Sequence, residues 1–190
     1  MNALRRYLVE TTRFKQQLGL VPKGFHYLGA EDYVLDRGTE HPSAPLTLAE
    51  WEILLAAVQA SRVNRFRLGE CYYNSQMLVA SDSTCQLNYC EGFAIGNVSL
   101  PVAHGWVTLN GKVIDLTWRT VSRRGSGRFR DRILGELPPD WSYYGVSFTA
   151  EMVIARIMRM KATASFLDDI YNGYPLFREP RIRPVEALLG

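Results

Sequence analysis

The sequence predicts an α+β domain in which an antiparallel sheet packs against helices. Asn110-Gly111 sits between two strand-like runs, 102–109 and 112–118, and this dipeptide is the strongest short hairpin signal because both turn residues take positive φ. Thr47-Leu-Ala-Glu50 is a capping-box pattern at the head of an apolar run, which marks a helix start. The chain has 190 residues, 47% of them hydrophobic and 22% charged, enough to bury one proper core. A single domain over 1–190 is expected: a helical part to residue 68, a core over 69–148, and a helical part over 149–190.

In chain order, residues 3–18 read as a helix with Leu4, Leu8, Thr11 and Leu18 on one face and Gly19 as a stop. Residues 20–46 carry Gly, Pro and scattered aromatics and read as an irregular connection. The helix opened by Thr47 places Leu48, Trp51, Leu55 and Val58 on one face. After a loop to Gly69, a third helix starts near Cys71 and runs to about Val79. Residues 87–95 are strand-like and precede the hairpin. Residues 119–140 are rich in Arg, Gly, Ser and Pro and read as an exposed loop. Thr149 begins a helix that runs to Lys161, and Ser165 begins another that ends at Gly173. The remaining tail is rich in Pro and Arg.

Composition narrows the function. No run of about 18 apolar residues exists, so no membrane span is expected, and the first residues lack the apolar core of a signal peptide. The three cysteines are odd in number and sparsely spaced, which fits a reducing cytoplasm better than a disulfide framework. Cys71, Cys85, Cys90 and the three histidines lack zinc-ligand spacing, and neither a metal nor another cofactor is expected. A net charge of +3 is too small to imply nucleic-acid binding.

The hairpin carries the chemistry. A two-residue turn at Asn110-Gly111 sets Leu109 opposite Lys112, Val107 opposite Ile114 and Trp106 opposite Asp115. His104, Trp106, Thr108, Val113, Asp115 and Thr117 then share one face; Val107, Leu109, Ile114, Leu116 and Trp118 share the other, the better core face. His104 and Asp115 become diagonal neighbours, with Cα atoms typically ~7–8 Å apart, so the carboxylate reaches an imidazole N–H. An acid so placed fixes the tautomer of a general base and stabilises its imidazolium. The same pair can also be no more than a structural hydrogen bond between strands.

Two cysteines compete as the nucleophile. Cys71 follows Leu68-Gly69-Glu70 and opens a helix, where unpaired amides and the positive dipole end favour a thiolate and can hold an oxyanion. Asn74, one turn on, shares its face and either donates to that oxyanion or pins the helix. Tyr89-Cys90-Glu91-Gly92-Phe93-Ala94 is superficially like a transglutaminase nucleophile motif, but Gly92, Gly96 and Pro101 leave no room for the helix that such a cysteine opens. Cys90 is read as a strand residue and Cys71 is preferred; Cys71 as a small buried apolar residue is the alternative.

With Cys71 at a helix start, His104-Gly-Trp106 on a strand and Val113-Ile-Asp115-Leu-Thr-Trp118 on the next, the chain resembles the transglutaminase-like branch of the papain-like cysteine enzymes. The resemblance covers roughly residues 69–118, with Tyr143-Tyr-Gly-Val-Ser-Phe148 as a further element. It implies a papain-like core, and acyl transfer through a thioester in which Cys71 attacks, His104 shuttles the proton and Asp115 orients His104. The substrate would be a peptide, a protein, or a small amide or ester. The Arg-Gly-Gly-x-Cys signature of arylamine N-acetyltransferases is absent. The Gln that precedes a papain-type nucleophile is replaced by Asn64 and Arg65.

The remaining candidates stay open between two roles. Glu91 either binds a cationic substrate group or is merely solvated, the latter being favoured. Trp106 walls a cleft or fills the core, and Tyr144 lines the site. Arg119, Arg123, Arg124, Arg128, Arg130 and Arg132 make a basic loop that either docks an acidic partner or is solvated. A non-catalytic binding or inhibitor protein on the same scaffold, using that loop and exposed aromatics at Trp106 and Tyr143–Tyr144, is the rival function. His26 and His41 look incidental.

Overall fold

The computed structural model describes residues 2–19, 21–61, 63, 66–96, 100–121, 138 and 141–189, with backbone alone at 119–121. The elements run α1 Ala3–Gln17, α2 Ala30–Arg37, β1 Thr39–His41, α3 Leu48–Ala60, α4 Cys71–Ala80, β2 Leu87–Ile95, β3 Val102–Leu109, β4 Lys112–Ile114, α5 Leu116–Val121, β5 Ser142–Phe148, α6 Ala150–Met160 and α7 Val185–Leu189, with 3-10 turns at Ile170–Asn172 and Pro175–Arg178. The described strands form one antiparallel sheet in the order β1-β5-β2-β3-β4. The sheet curls until its edges meet: the Val113 amide on β4 donates to the Pro42 carbonyl just beyond β1, at 3.1 Å.

That curl gives the sheet two buried faces. The outer face of β2, β3 and β4 presents Leu87, Tyr89, Val107, Leu109 and Ile114 to α3, α4 and α6. Phe93 and Tyr144, further along the same face, pack in the cluster of α1 and α2. The inner face gathers Cys90, Ala94, Trp106, Val113, Trp118 and Tyr143. A strand buried on both sides loses the alternation of apolar and polar residues that normally marks its core face.

The hairpin has the expected turn and register: Asn110 and Gly111 take positive φ, and Val107 pairs with Ile114 and Leu109 with Lys112. The second strand is shorter than 112–118. It ends at Ile114 because the Asp115 carboxylate accepts from the amides of Thr117 (2.9 Å) and Trp118 (3.0 Å), which turns the chain into α5. This carries Trp118 from the outer face to the inner cluster.

Three further expectations are corrected. Residues 20–46 are not wholly irregular, because they hold α2 and β1. Asp32 and Asp36 on α2 are buried and bind the tail: Arg181 donates twice to Asp32 at 2.7 Å, and the amides of Ile182 and Arg183 donate to Asp36 at 2.9 Å. In α3 the buried face is Glu50, Leu54 and Ala57, whereas Leu48 and Leu55 are 84% and 41% exposed. No full helix forms over 165–173: the Glu91 carboxylate holds the amides of Phe166 and Leu167, and the segment contains the 3-10 turn Ile170–Asn172 in place of a helix.

The α3 capping box forms and reaches further than the helix. Glu50 accepts from the Thr47 amide (2.7 Å), from Lys112 Nζ (2.7 Å) and from Asn110 Nδ2 (2.9 Å), tying the helix start to the hairpin tip. Its hydrogen bonds from Lys112, Asn110 and Thr47 hold the carboxyl down to about 2. A depressed acid contributes stability above its unfolded range, lost as pH falls toward the folded value. Glu50→Gln should therefore lower stability at pH 7 by about 1–2 kcal/mol, the scale of a lost cap with one charged hydrogen bond. Urea titrations should show the gap closing between pH 4.5 and pH 2; a gap as wide at pH 2 as at pH 7 would refute the ion-pair account.

Candidate active site

Cys71, His104 and Asp115 come together at one end of the curled sheet. Gly69, with φ of +84°, turns the chain into α4. The Asn74 amide donates to the Glu70 carbonyl at 2.8 Å, so the helix opens with Cys71 as its first residue and the amides of Cys71, Tyr72 and Tyr73 precede its first backbone bond. The thiol is half-buried. It lies within side-chain hydrogen-bonding reach of the His104 ring.

His104 projects inward from β3 and is 2% exposed. Its Nε2 meets Asp115 Oδ2 at 2.7 Å, which leaves Nδ1 for the thiol. Trp118 stacks on the ring, with centroids 4.2 Å apart and planes 17° from parallel, so the imidazole cannot swing. Asp115 takes four donors: His104 Nε2 and the Tyr143 hydroxyl (2.9 Å) on Oδ2, and the amides of Thr117 and Trp118 on Oδ1.

The electrostatics follow from this packing. Burial alone would discharge the imidazole, but the Asp115 charge and hydrogen bond, with Cys71 adding to them, raise it to about 9. Burial likewise opposes the Asp115 charge, and His104, the Trp118 amide and Tyr143 overcome that and hold the carboxyl below its ordinary range. At neutral pH the pair is therefore imidazolium and carboxylate.

The other sequence candidates fall in different places. Asn74 pins the helix: both hydrogens of its amide nitrogen are spent, on the Arg67 carbonyl and on Thr117 Oγ1, each at 2.9 Å, so it has none left for an oxyanion. Trp106 is fully buried behind the triad, and its ring packs edge-on to His41 and Tyr143. Tyr144 faces the opposite side of the sheet, in the cluster of α1 and α2. Glu91 is also on the outer face, and it is buried rather than solvated, accepting from Tyr89 Oη (2.7 Å), the Ser165 hydroxyl and two amides.

Cys90 is buried in β2, near Ser147 Oγ (3.2 Å) and Thr108 Oγ1 (3.4 Å), and burial pushes its thiol up to about 11. Cys85 is exposed with positive φ, and its amide donates to the Asp82 carbonyl at 3.2 Å. His41 is more than incidental, since its ring joins the inner face between Gly145 and Cys90. Asn64, Arg65, Arg123, Arg124, Arg128, Arg130 and Arg132, and the Arg119 side chain, lie outside the described residues.

Sequence reasoning missed Tyr143 as a partner of Asp115, and Trp118 as the stacking surface of His104. Strand parity separates Tyr143 from Tyr144, but only the pairing of Ala94 with Tyr143 fixes which of the two points inward. Among the described residues no group of three or more His, Cys, Asp or Glu is placed to hold a metal ion, and no helix is long and apolar enough to cross a membrane. No family model, curated protein or solved structure matches the chain.

Proposed function

We propose that the protein is a cysteine-dependent hydrolase or acyltransferase acting on an amide or ester, on a core of the transglutaminase-like, papain-like type. The observation that carries this reading is the unbroken chain from the Cys71 thiol through the His104 ring to Asp115 Oδ2. In the reacting form the thiol proton already rests on His104, and the Cys71 sulfur attacks the carbonyl carbon, forming a C–S bond and an oxyanion. The amides at the start of α4 face that charge. Collapse breaks the C–N or C–O bond, and the leaving group takes the proton from His104. Water or an amine then attacks the thioester, gives a proton to His104, and releases the acid or the new amide as sulfur leaves. The raised proton affinity of His104 fits the middle of this cycle, when the ring stores the proton.

The rival binding reading loses its aromatic surface, because Trp106, Tyr143 and Tyr144 are buried. Its Arg-rich loop would serve an acidic partner equally well on an enzyme. The free cysteines support a cytoplasmic placement.

Labelling tests the proposal before any substrate is known. Iodoacetamide at pH 7 should modify Cys71 at least about tenfold faster than a free cysteine, as activated thiols do, and Cys90 hardly at all. Peptide mass analysis of wild type, Cys71→Ala, Cys85→Ala and Cys90→Ala assigns each label. Reaction at Cys71 no faster than at the exposed Cys85 would end the enzymatic reading.

A further inference from the structure

We propose that Tyr143 is a positioning residue that fixes the Asp115 carboxylate against His104; its catalytic consequence rests on the enzymatic reading above. The hydroxyl donates to Asp115 Oδ2 at 2.9 Å, the same oxygen that meets His104 Nε2 at 2.7 Å. The other oxygen holds two backbone amides. Each oxygen is thus held from two directions, and the carboxylate has no second rotamer that keeps its partners.

The phenol is itself firmly placed. Tyr143 pairs with His41 on one side and Ala94 on the other, in the middle of the sheet. Its ring meets Trp106 at 5.2 Å and 65°, and Trp118 at 6.0 Å and 50°. These contacts aim the hydroxyl at Oδ2 before any substrate arrives, which is how a supporting residue preorganises a site.

The shared oxygen has a second effect. A phenol that donates to Oδ2 draws charge from the atom that attracts the imidazolium. The carboxylate becomes less basic, and its hold on the His104 proton is moderated. Removing the hydroxyl makes Oδ2 more basic, so the acid and the imidazole both titrate at higher pH. A tyrosine that only filled space would, on removal of its oxygen, change stability or rate and leave both midpoints in place. The titratable groups that meet here are His104 from β3, Tyr143 from β5 and Cys71 from α4, around Asp115.

The test is a proton titration of the full chain. His104 is followed by NMR in wild type and in Tyr143→Phe, using protein labelled at histidine Cε1, with His26→Gln and His41→Gln to assign the signals. The His104 midpoint should rise by about half a unit in Tyr143→Phe, about threefold in acid constant, with an unchanged circular dichroism spectrum. A midpoint that stays within about 0.1 unit, or falls, overturns the proposal. If Tyr143→Phe does not fold, 3-fluorotyrosine at position 143 keeps the shape and makes the hydroxyl a stronger donor. The midpoint should then fall, and an unmoved one overturns the proposal. Labelling of Cys71 is scored separately: a shifted His104 beside an inert Cys71 keeps Tyr143 as the holder of Asp115 and removes the reaction.

Discussion

Asp115→Asn should slow acylation of Cys71 by about 10³–10⁴-fold while the fold survives, the scale seen when a triad loses its correct tautomer. An asparagine keeps an oxygen for the amides of Thr117 and Trp118, so α5 still has its start. Its amide nitrogen must then face His104 Nε2 and the Tyr143 hydroxyl, where the carboxylate oxygen accepted from both. Nε2 becomes an acceptor, the ring proton moves to Nδ1, and the nitrogen nearest the thiol can no longer take its proton. The charge is lost too. Burial then acts on a ring that has lost its largest source of positive-charge stabilisation, with only Cys71 left to oppose it, and the imidazole titrates well below its wild-type value of about 9. The loss corresponds to about 4–5.5 kcal/mol of activation free energy. Stopped-flow acylation by p-nitrophenyl acetate checks it, and a loss below tenfold would show that Asp115 is a structural partner only. Stability provides a second readout. A histidine raised on folding contributes stability fully below its unfolded range, lost as pH rises through the folded value. Wild type should therefore lose urea resistance as pH rises from about 6.5 to about 9, and Asp115→Asn should show little of that limb.

The parts of this site that were legible in the sequence are those set by local chemistry. Asn110-Gly111 determines the hairpin turn, and the turn determines the register that brings His104 near Asp115. Thr47 and Glu50 announce a helix start through a reciprocal cap, and Gly69 announces the turn before Cys71. The parts that were hidden depend on partners distant in the chain. Glu91 stands on an apolar strand as a single charge beside a glycine, which reads as solvated. Its four donors come from Tyr89 and from residues 165–167, and 165–167 cannot be located from the strand itself. Likewise α2 has Gly29 before it with no side-chain cap, and the cations that pair with its two aspartates, Arg181 and Arg183, lie far away in the tail. The face assigned to Trp118 failed because the Asp115 carboxylate ends the strand at Ile114 and starts α5, so strand alternation no longer applies at residue 118.

Glu91→Ala should destabilise the protein by about 3–5 kcal/mol, because two buried amides and two hydroxyls lose their acceptor at about 1–3 kcal/mol for each donor left unsatisfied. The carboxylate accepts from the Phe166 amide (2.7 Å) and the Leu167 amide (3.1 Å), and it also takes the hydroxyls of Ser165 and Tyr89. Burial raises the carboxyl above its ordinary range, and these donors offset only part of that. Four donors around two oxygens suit an anion, since a protonated acid would turn one of its own hydrogens toward them. Without Glu91, two backbone amides and two hydroxyls remain buried in a region packed by Phe148 and Phe166, whose ring centroids are 4.4 Å apart. The damage should spread along named contacts. Arg156 holds Ser165 through its carbonyl and Asp169 at 2.7 Å, so the 165–169 segment would pull on α6. Tyr72 follows Cys71 in α4 and feels the Glu91 charge, and no side chain larger than hydrogen fits at Gly105 against its ring. Loosening there shifts the start of α4. Urea unfolding measures the stability, and the Cys71 alkylation rate in the folded mutant measures the reach of the effect. A loss under about 1 kcal/mol would mean that water satisfies these donors and that Glu91 is not the anchor of the segment.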